Sequence, residues 1–277
     1  MQGFLRLISS LCLLAYTSIV SAGTEPPDLN QAWNSRLKNF YFQERPIQEN
    51  TSVVSLTAPD RAEDPARVPV SITTRPKDLD ISKLKSLYLI IDNNPSPLAG
   101  KFNLSPNSHI AQLDLFIRVN EYSPVRVIAE TSDGQLYMQS HFVKASGGCS
   151  APAATDMQKA AKELGQMRFK INNLTSKSTH DWAQASLAIK HPNLTGLQRD
   201  QLTQLFVPAH YIKAIEVKLG EDIILSAETN ISISENPVLS FDFKPSTQQQ
   251  LTATITDTEG KVFVHQQMIG EDKSASY

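Results

Sequence analysis

Short runs in which apolar and polar residues alternate, separated by turn signals at roughly 8–12-residue spacing, predict an all-β chain. Two blocks of such runs flank a stretch of small residues, Ser146-Gly147-Gly148-Cys149-Ser150-Ala151-Pro152-Ala153-Ala154, and 277 residues suffice for two ordinary domains. Together these features predict two immunoglobulin-like β-sandwiches joined by a flexible linker, with a helix ahead of them.

Residues 1–22 have the features of a signal peptide. Arg6 is followed by the apolar run Leu11-Cys12-Leu13-Leu14-Ala15 and by Val20-Ser21-Ala22, a small-residue cleavage pattern. That run is about half of the ~20 residues that a membrane-spanning helix needs, so an exported, non-spanning mature protein is expected. Cys12 then departs with the signal peptide, leaving Cys149 as the lone thiol in an oxidising compartment. A net charge of −2 gives no electrostatic case for nucleic acid, and no basic run reads as a membrane-surface helix.

In the mature chain, Asp28 is placed to cap a helix whose Leu29, Trp33, Leu37 and Phe40 recur near a helical period, a face that should pack on the next domain. After the polar stretch Pro59 to Pro65, Val68 to Ile72 reads as a strand, and Pro69 argues for an edge position because proline cannot donate to a ladder. Leu87 to Ile91 reads as a buried strand ended by Asn93-Asn94-Pro95. Leu113, Leu115, Ile117 and Val119 alternate, as do Val125, Val127 and Ala129, and Asp133-Gly134 supplies a hairpin turn into Leu136 to Val143.

A short helix is expected over 155–164. Strands follow at Met167 to Ile171, Leu187 to Ile189 and Ile215 to Leu219, then at Ile223/Leu225/Ala227, Leu239 to Phe243, Leu251 to Ile255 and Val262/Val264.

Cys149 follows directly on the last strand of the first block. Its neighbours Lys144 and His141 are the charges near in sequence that can activate it, and an ordinary thiol with a pKa near 8.5 is only a few per cent thiolate at neutral pH. Such a thiol suits a carrier, which borrows activation from a partner. A cysteine hydrolase needs a base held by a third group, for which there is no motif. The plainer readings are an unused linker thiol or a disulfide-linked homodimer.

His109, His141, His180, His191, His210 and His265 are dispersed without HxxxH or HExxH spacing, so no metal site is expected. Glycine-rich phosphate loops and nucleophile elbows are absent, and no cofactor is indicated. Sequons at Asn50, Asn103, Asn173, Asn193 and Asn230 are chance matches if the exporting cell is bacterial.

Several of these segments carry a family resemblance. Val68-Pro69-Val70, Asn94-Pro95, Ala129-Glu130-Thr131-Ser132-Asp133-Gly134 and Val143-Lys144-Ala145-Ser146-Gly147-Gly148-Cys149 resemble, in order, the SoxY subunit of the sulfur-oxidation carrier. His191-Pro192-Asn193-Leu194-Thr195-Gly196, Val207-Pro208-Ala209-His210-Tyr211-Ile212 and Asn236 to Lys244 resemble its partner SoxZ. The whole is similar to fused SoxYZ-like carriers of the type associated with quinoprotein (PQQ) alcohol dehydrogenases.

The residue patterns and the resemblance together give the following division: signal peptide 1–22, N-terminal helical segment 23–60, SoxY-like sandwich 61–145, cysteine-bearing linker 146–165 and SoxZ-like sandwich 166–277. It also implies a periplasmic, non-catalytic carrier in sulfur (thiosulfate) oxidation, with cargo held covalently on Cys149 and with Gly147 and Gly148 as the pliable part of its arm. Implied partners are periplasmic oxidoreductases, either Sox enzymes or a quinoprotein dehydrogenase and its cytochrome. One departure stands out: the family's arm ends the chain with glycines on both sides of the cysteine, whereas Ser150-Ala151-Pro152 follows here and the chain continues, which shortens the arm's reach. The alternative is an interaction or maturation factor for a quinoprotein dehydrogenase that works through its surfaces, with no covalent carriage.

Overall fold

The computed structural model describes residues 28–49, 53–74, 83–105, 112–154, 156–172, 183–245 and 250–269. The expected signal peptide, His109, His180 and the sequons at Asn50 and Asn173 lie outside them.

Each half is a two-layer β-sandwich. In the first half, β1 (Ile47–Glu49), β4 (Leu84–Ile91), β5 (Leu98–Leu104), β7 (Ser123–Thr131) and β8 (Leu136–Val143) form one layer. The facing layer contains β2 (Ser55–Thr57), β3 (Val68–Thr73) and β6 (Gln112–Ile117). In the second half, β11 (Ile212–Leu219), β12 (Asp222–Thr229), β14 (Gln250–Asp257) and β15 (Val262–Met268) oppose β9 (Met167–Asn172), β10 (Ala183–Ile189) and β13 (Val238–Phe243). Alternation sets the inner faces: in β10 every second residue from Ala183 to Ile189 is buried, and β13 buries Leu239, Phe241 and Phe243.

How the two sandwiches sit together was open in the sequence, and strand pairing joins them directly. β5 pairs with β12 from Leu104↔Leu225 to Gly100↔Thr229, and β6 pairs with β13 at Leu113↔Phe241 and Asp114↔Ser240. Both layers therefore run unbroken across the molecule, as a nine-stranded sheet β1-β8-β7-β4-β5-β12-β11-β14-β15 and a six-stranded sheet β2-β3-β6-β13-β10-β9. A single apolar core lies between them, in which Leu89 and Phe102 join Val217, Leu225 and Phe241. Edge pairing leaves neither half an exposed backbone ladder at the junction.

The N-terminal helix covers the outer face of the nine-stranded sheet. Asp28 Oδ1 accepts from the Asn30 N–H at 2.9 Å at its start. A π-helical turn, Trp33–Leu37, leads into α1, Lys38–Phe42. Its Lys38 N–H donates to Trp33 O, five residues back, and this wider turn puts Trp33, Leu37 and Phe42 on the buried side. Leu29 and Phe40, expected on that face from a 3.6-residue period, are exposed at 49% and 73%.

Trp33, Leu37 and Phe42 pack on Ile90, Ile128, Leu136 and Met138, which explains why β7 is buried on both faces. One outward residue of β7 is Arg126. Its guanidinium bonds Asp92 through Nε at 2.9 Å and Nη2 at 2.8 Å, reaches Asn30 Oδ1 at 2.7 Å and lies 4.7 Å from the Trp33 ring centroid, so this buried charge is fully paired.

Other differences from the sequence reading are local. β5 was missed because Gly100 occupies one of its inward positions and Lys101 and Asn103 dilute the pattern. β3 is not an edge strand, yet β2 pairs only with Ser71–Thr73, so Pro69 loses no bond on that side. A register shift after Val217 turns Ile223 outward and Ile224 inward. Val262 and Val264 lie on the edge strand β15 and are each 59% exposed. The helix expected at 155–164 is α2, Met157–Glu163, whose Asp156 cap accepts from Gln158 N and Lys159 N.

Because core and sheets are shared, the halves should unfold together. Phe241→Ala, at the junction and 0% exposed, should cost about 3–5 kcal/mol, and scanning calorimetry should show one transition that moves as a whole. Two resolved transitions, only one of them sensitive to the substitution, would contradict this.

Candidate functional site

The Cys149 segment is a packed turn at the junction. Gly147 N donates to Asn120 O at 2.8 Å and Gly148 N to Val119 O at 3.1 Å, extending the line of β6. Ser150 N and Ala151 N then fold back onto Gly147 O at 3.2 and 2.9 Å. Val119 N in turn donates to Pro65 O at 2.9 Å, so the polar stretch before β3 forms one wall.

The two glycines are used for shape, in contrast to the pliable arm expected of them. Gly147 has φ +82°, a left-handed conformation that favours glycine. At Gly148 a Cβ would lie 2.1 Å from Pro65 O and 2.7 Å from Val119 O, closer than any side chain allows. The turn therefore needs glycine to close against its wall.

The opposite wall comes from the second half. Thr195 Oγ1 donates to Cys149 O at 2.6 Å, and Gln198 Nε2 donates to Ala151 O at 2.9 Å. Just beyond the turn, Ala154 N donates to Glu235 Oε2 at 3.0 Å. Cys149 ends 0% exposed and free of any disulfide. In this conformation its sulfur is enclosed, and a disulfide between two copies requires the turn to open.

Burial pushes the Cys149 thiol up to about 11, against a partial pull downward from the Arg118 charge. Arg118 replaces Lys144 and His141 as the cation near this thiol: Lys144 is exposed, and His141 Nε2 faces Asp60 at 2.9 Å. Arg118 is 1% exposed, and its Nη1 donates to the Ile231 and Ile233 carbonyls of the second half. Its Nε is buried with no hydrogen-bond partner among the described residues. Burial lowers its own pKa, partly offset by Cys149, Glu235 and Asp64.

The segments that carried the resemblance meet here. Asn94 Nδ2 donates to Arg118 O at 2.8 Å and to Ser232 Oγ at 2.9 Å, and its Oδ1 accepts from Asn120 N at 2.8 Å. Asn193 Nδ2 donates to Ser234 O at 2.9 Å and its Oδ1 accepts from Ile212 N at 3.0 Å. Asn193 is 1% exposed, which removes it as a glycosylation acceptor. These asparagines fasten the junction loops.

His191, His210 and Asp257, far apart in sequence, converge with ligand-capable atoms within 4.8 Å of one another. His210 Nε2 donates to Asp257 Oδ2 at 2.9 Å. His191 Nδ1 accepts from the Asn193 N–H at 3.1 Å, so the neutral ring carries its proton on Nε2, the atom facing Asp257 at 3.9 Å. A protonated Nε2 has no lone pair for a metal. Burial holds His191 down to about 4 and keeps it neutral. The trio braces the loops that hold Thr195.

The family model "Sulfur oxidation protein SoxY" matches residues 38–149, and "Sulphur oxidation protein SoxZ" matches residues 171–268. The chain joins a SoxY domain to a SoxZ domain. The SoxY match ends on Cys149 itself. Among solved structures, the sulfur carrier protein SoxY from Chlorobium limicola f thiosulfatophilum is 27% identical, covering 39% of this chain and 87% of that one at a TM-score of 0.33. A β-glycosidase from Bacteroides vulgatus is 10% identical over 82% of this chain and 25% of its own, at a TM-score of 0.24. No curated protein matches the chain. Among the described residues, no helix is long and apolar enough to cross a membrane.

Sequence reasoning placed Cys149 at the SoxY–SoxZ boundary but missed Arg118, Thr195 and Gln198. Thr195 lay in a quoted motif without an assigned role. Arg118 and Gln198 had no signal: Arg118 reaches the turn because its neighbour Val119 bonds Gly148 within the first half, and Gln198 only because the strands of the two halves pair.

A raised thiol pKa ties stability to alkaline pH. The folded protein keeps a proton that the unfolded chain releases near 9, so the contribution is complete below about pH 9 and falls as pH rises toward 11. The stability difference between wild type and Cys149→Ser should therefore narrow by about 1.4 kcal/mol per pH unit in that window. Denaturant titrations at pH 8, 9 and 10 measure it, and a difference independent of pH would show a thiol ionising as freely as in the unfolded chain.

Proposed function

We propose that this SoxY–SoxZ chain is a non-catalytic carrier in sulfur oxidation, holding a sulfur fragment on Cys149 while partner oxidoreductases act on it. The observation that supports this most directly is that the SoxY match ends on Cys149, a free thiol set in a glycine-dependent turn against the SoxZ domain. Loading joins the Cys149 thiolate to an anionic sulfur species through a new S–S bond. The thiol proton is released, and two electrons pass to the oxidoreductase that performs the conjugation.

The turn must open for this, because the sulfur is enclosed and its proton held in the closed form. Once exposed to solvent, the thiol returns toward its ordinary pKa near 8.5 and becomes reactive. Opening therefore supplies access and nucleophilicity together. The expected signal peptide supports a periplasmic setting for this work, and the resemblance to quinoprotein-associated carriers adds a quinoprotein dehydrogenase and its cytochrome to the partners proposed.

A second reading is favoured by the burial of Cys149: the protein serves a quinoprotein dehydrogenase as an interaction or maturation factor through its surfaces, and the cysteine only packs.

Cys149→Ser separates the two. The serine variant should keep a single unfolding transition and lose partner-dependent thiosulfate oxidation down to background in a reconstituted assay. Full retention of that activity would contradict carriage and leave the surface reading.

A further inference from the structure

The turn is held on two flanks by different kinds of bond. Toward its own domain the bonds are main chain to main chain, from Gly147 and Gly148 to Asn120 and Val119, and depend on no side chain. Toward the SoxZ domain they are the side-chain bonds of Thr195 and Gln198 to the carbonyls of Cys149 and Ala151.

Thr195 and Gln198 also fix each other. Gln198 Oε1 accepts from Thr195 N at 3.1 Å, and Thr195 Oγ1 accepts from Leu197 N at 3.1 Å while donating to Cys149 O. The two residues are 4% and 2% exposed, so water does not compete for these bonds. They sit on a loop whose base is bridged by Leu194 and His210, donating to each other's carbonyls at 2.7 and 3.0 Å. The loop is thus a rigid support with two donors aimed at one turn.

We propose that Thr195 and Gln198 are positioning residues that latch the Cys149 turn shut, so that the SoxZ domain sets access to the thiol. The latch acts through the carbonyls at Cys149 and Ala151 and touches no reacting atom. When both bonds release, Gly147 and Gly148 stay tethered by their N–H bonds and Ala154 by Glu235, and the stretch from Cys149 to Ala151 between them swings outward as a short loop. The physiological meaning rests on carriage by Cys149, while the latch itself is testable with no cargo at all.

The test is the second-order rate at which 5,5′-dithiobis(2-nitrobenzoate) reacts with the native full-length protein at neutral pH. Each lost hydrogen bond shifts opening by about fivefold. Gln198→Ala should therefore react about fivefold faster than wild type, and Thr195→Val with Gln198→Ala at least about tenfold faster. Thr195→Ser, which keeps the hydroxyl, should react at the wild-type rate.

Thr229→Val is the matched control, because Thr229 Oγ1 makes a bond of the same 2.6 Å length to Ile212 O within the SoxZ domain and to no group of the turn. It should lower stability without accelerating the reaction. Equal acceleration in the control and the latch variants, or none in either, would overturn the latch. If the double variant does not fold, Gln198→Ala against Thr229→Val decides the same question. Faster labelling of latch variants in a protein that carries no adduct in its native cell would keep the latch and remove carriage, so the two can fail separately.

Discussion

Everything at the Cys149 turn depends on strand pairing between the two halves. The β5–β12 and β6–β13 ladders give the SoxY and SoxZ domains common sheets and a common core, which fixes their relative position to the tolerance of a packed interior. A tether alone would leave the loop of Thr195 and Gln198 free to wander. Held by the sheets, it meets the end of the SoxY domain at hydrogen-bond distance.

That placement changes what the glycines mean. In sequence, Gly147-Gly148-Cys149 reads as an arm with freedom to move. In the fold, Gly147 supplies a left-handed turn and Gly148 a missing Cβ, and both serve close packing against Pro65 and Val119. The same residues fit a mobile and a fixed state, since the two glycines have no side chains to unpack when the turn opens. Connection of the chain at both ends of the turn limits how far the sulfur can travel, so the proposed carriage requires a partner enzyme to approach the junction closely.

The fold was legible where alternation was clean. β10, β13 and β14 bury every second residue, and the sequence shows it. It failed where another physical term prevailed: a glycine in β5, a π-helical turn that rotated the face of the N-terminal helix, and a register shift that exchanged Ile223 for Ile224. The candidate site was legible in one residue, because a lone cysteine at a domain boundary is a local feature. Thr195 and Gln198 reach it only through pairing between strands more than a hundred residues apart, and Arg118 through the bond of its neighbour Val119 to Gly148, none of which a local pattern records. The convergence of His191, His210 and Asp257 was hidden because they come from three separate segments of the second half, without a local spacing that marks a site.

The closed turn and the proposed carriage on Cys149 make opposite demands on one sulfur atom, burial and reaction, and a shut form that opens satisfies both. The most direct measurement is the intact mass of the protein isolated without reductant from cells oxidising thiosulfate, with the modified residue located by fragmentation. The account predicts a defined mass addition on Cys149 that reductant removes. An unmodified Cys149 during active turnover would contradict it.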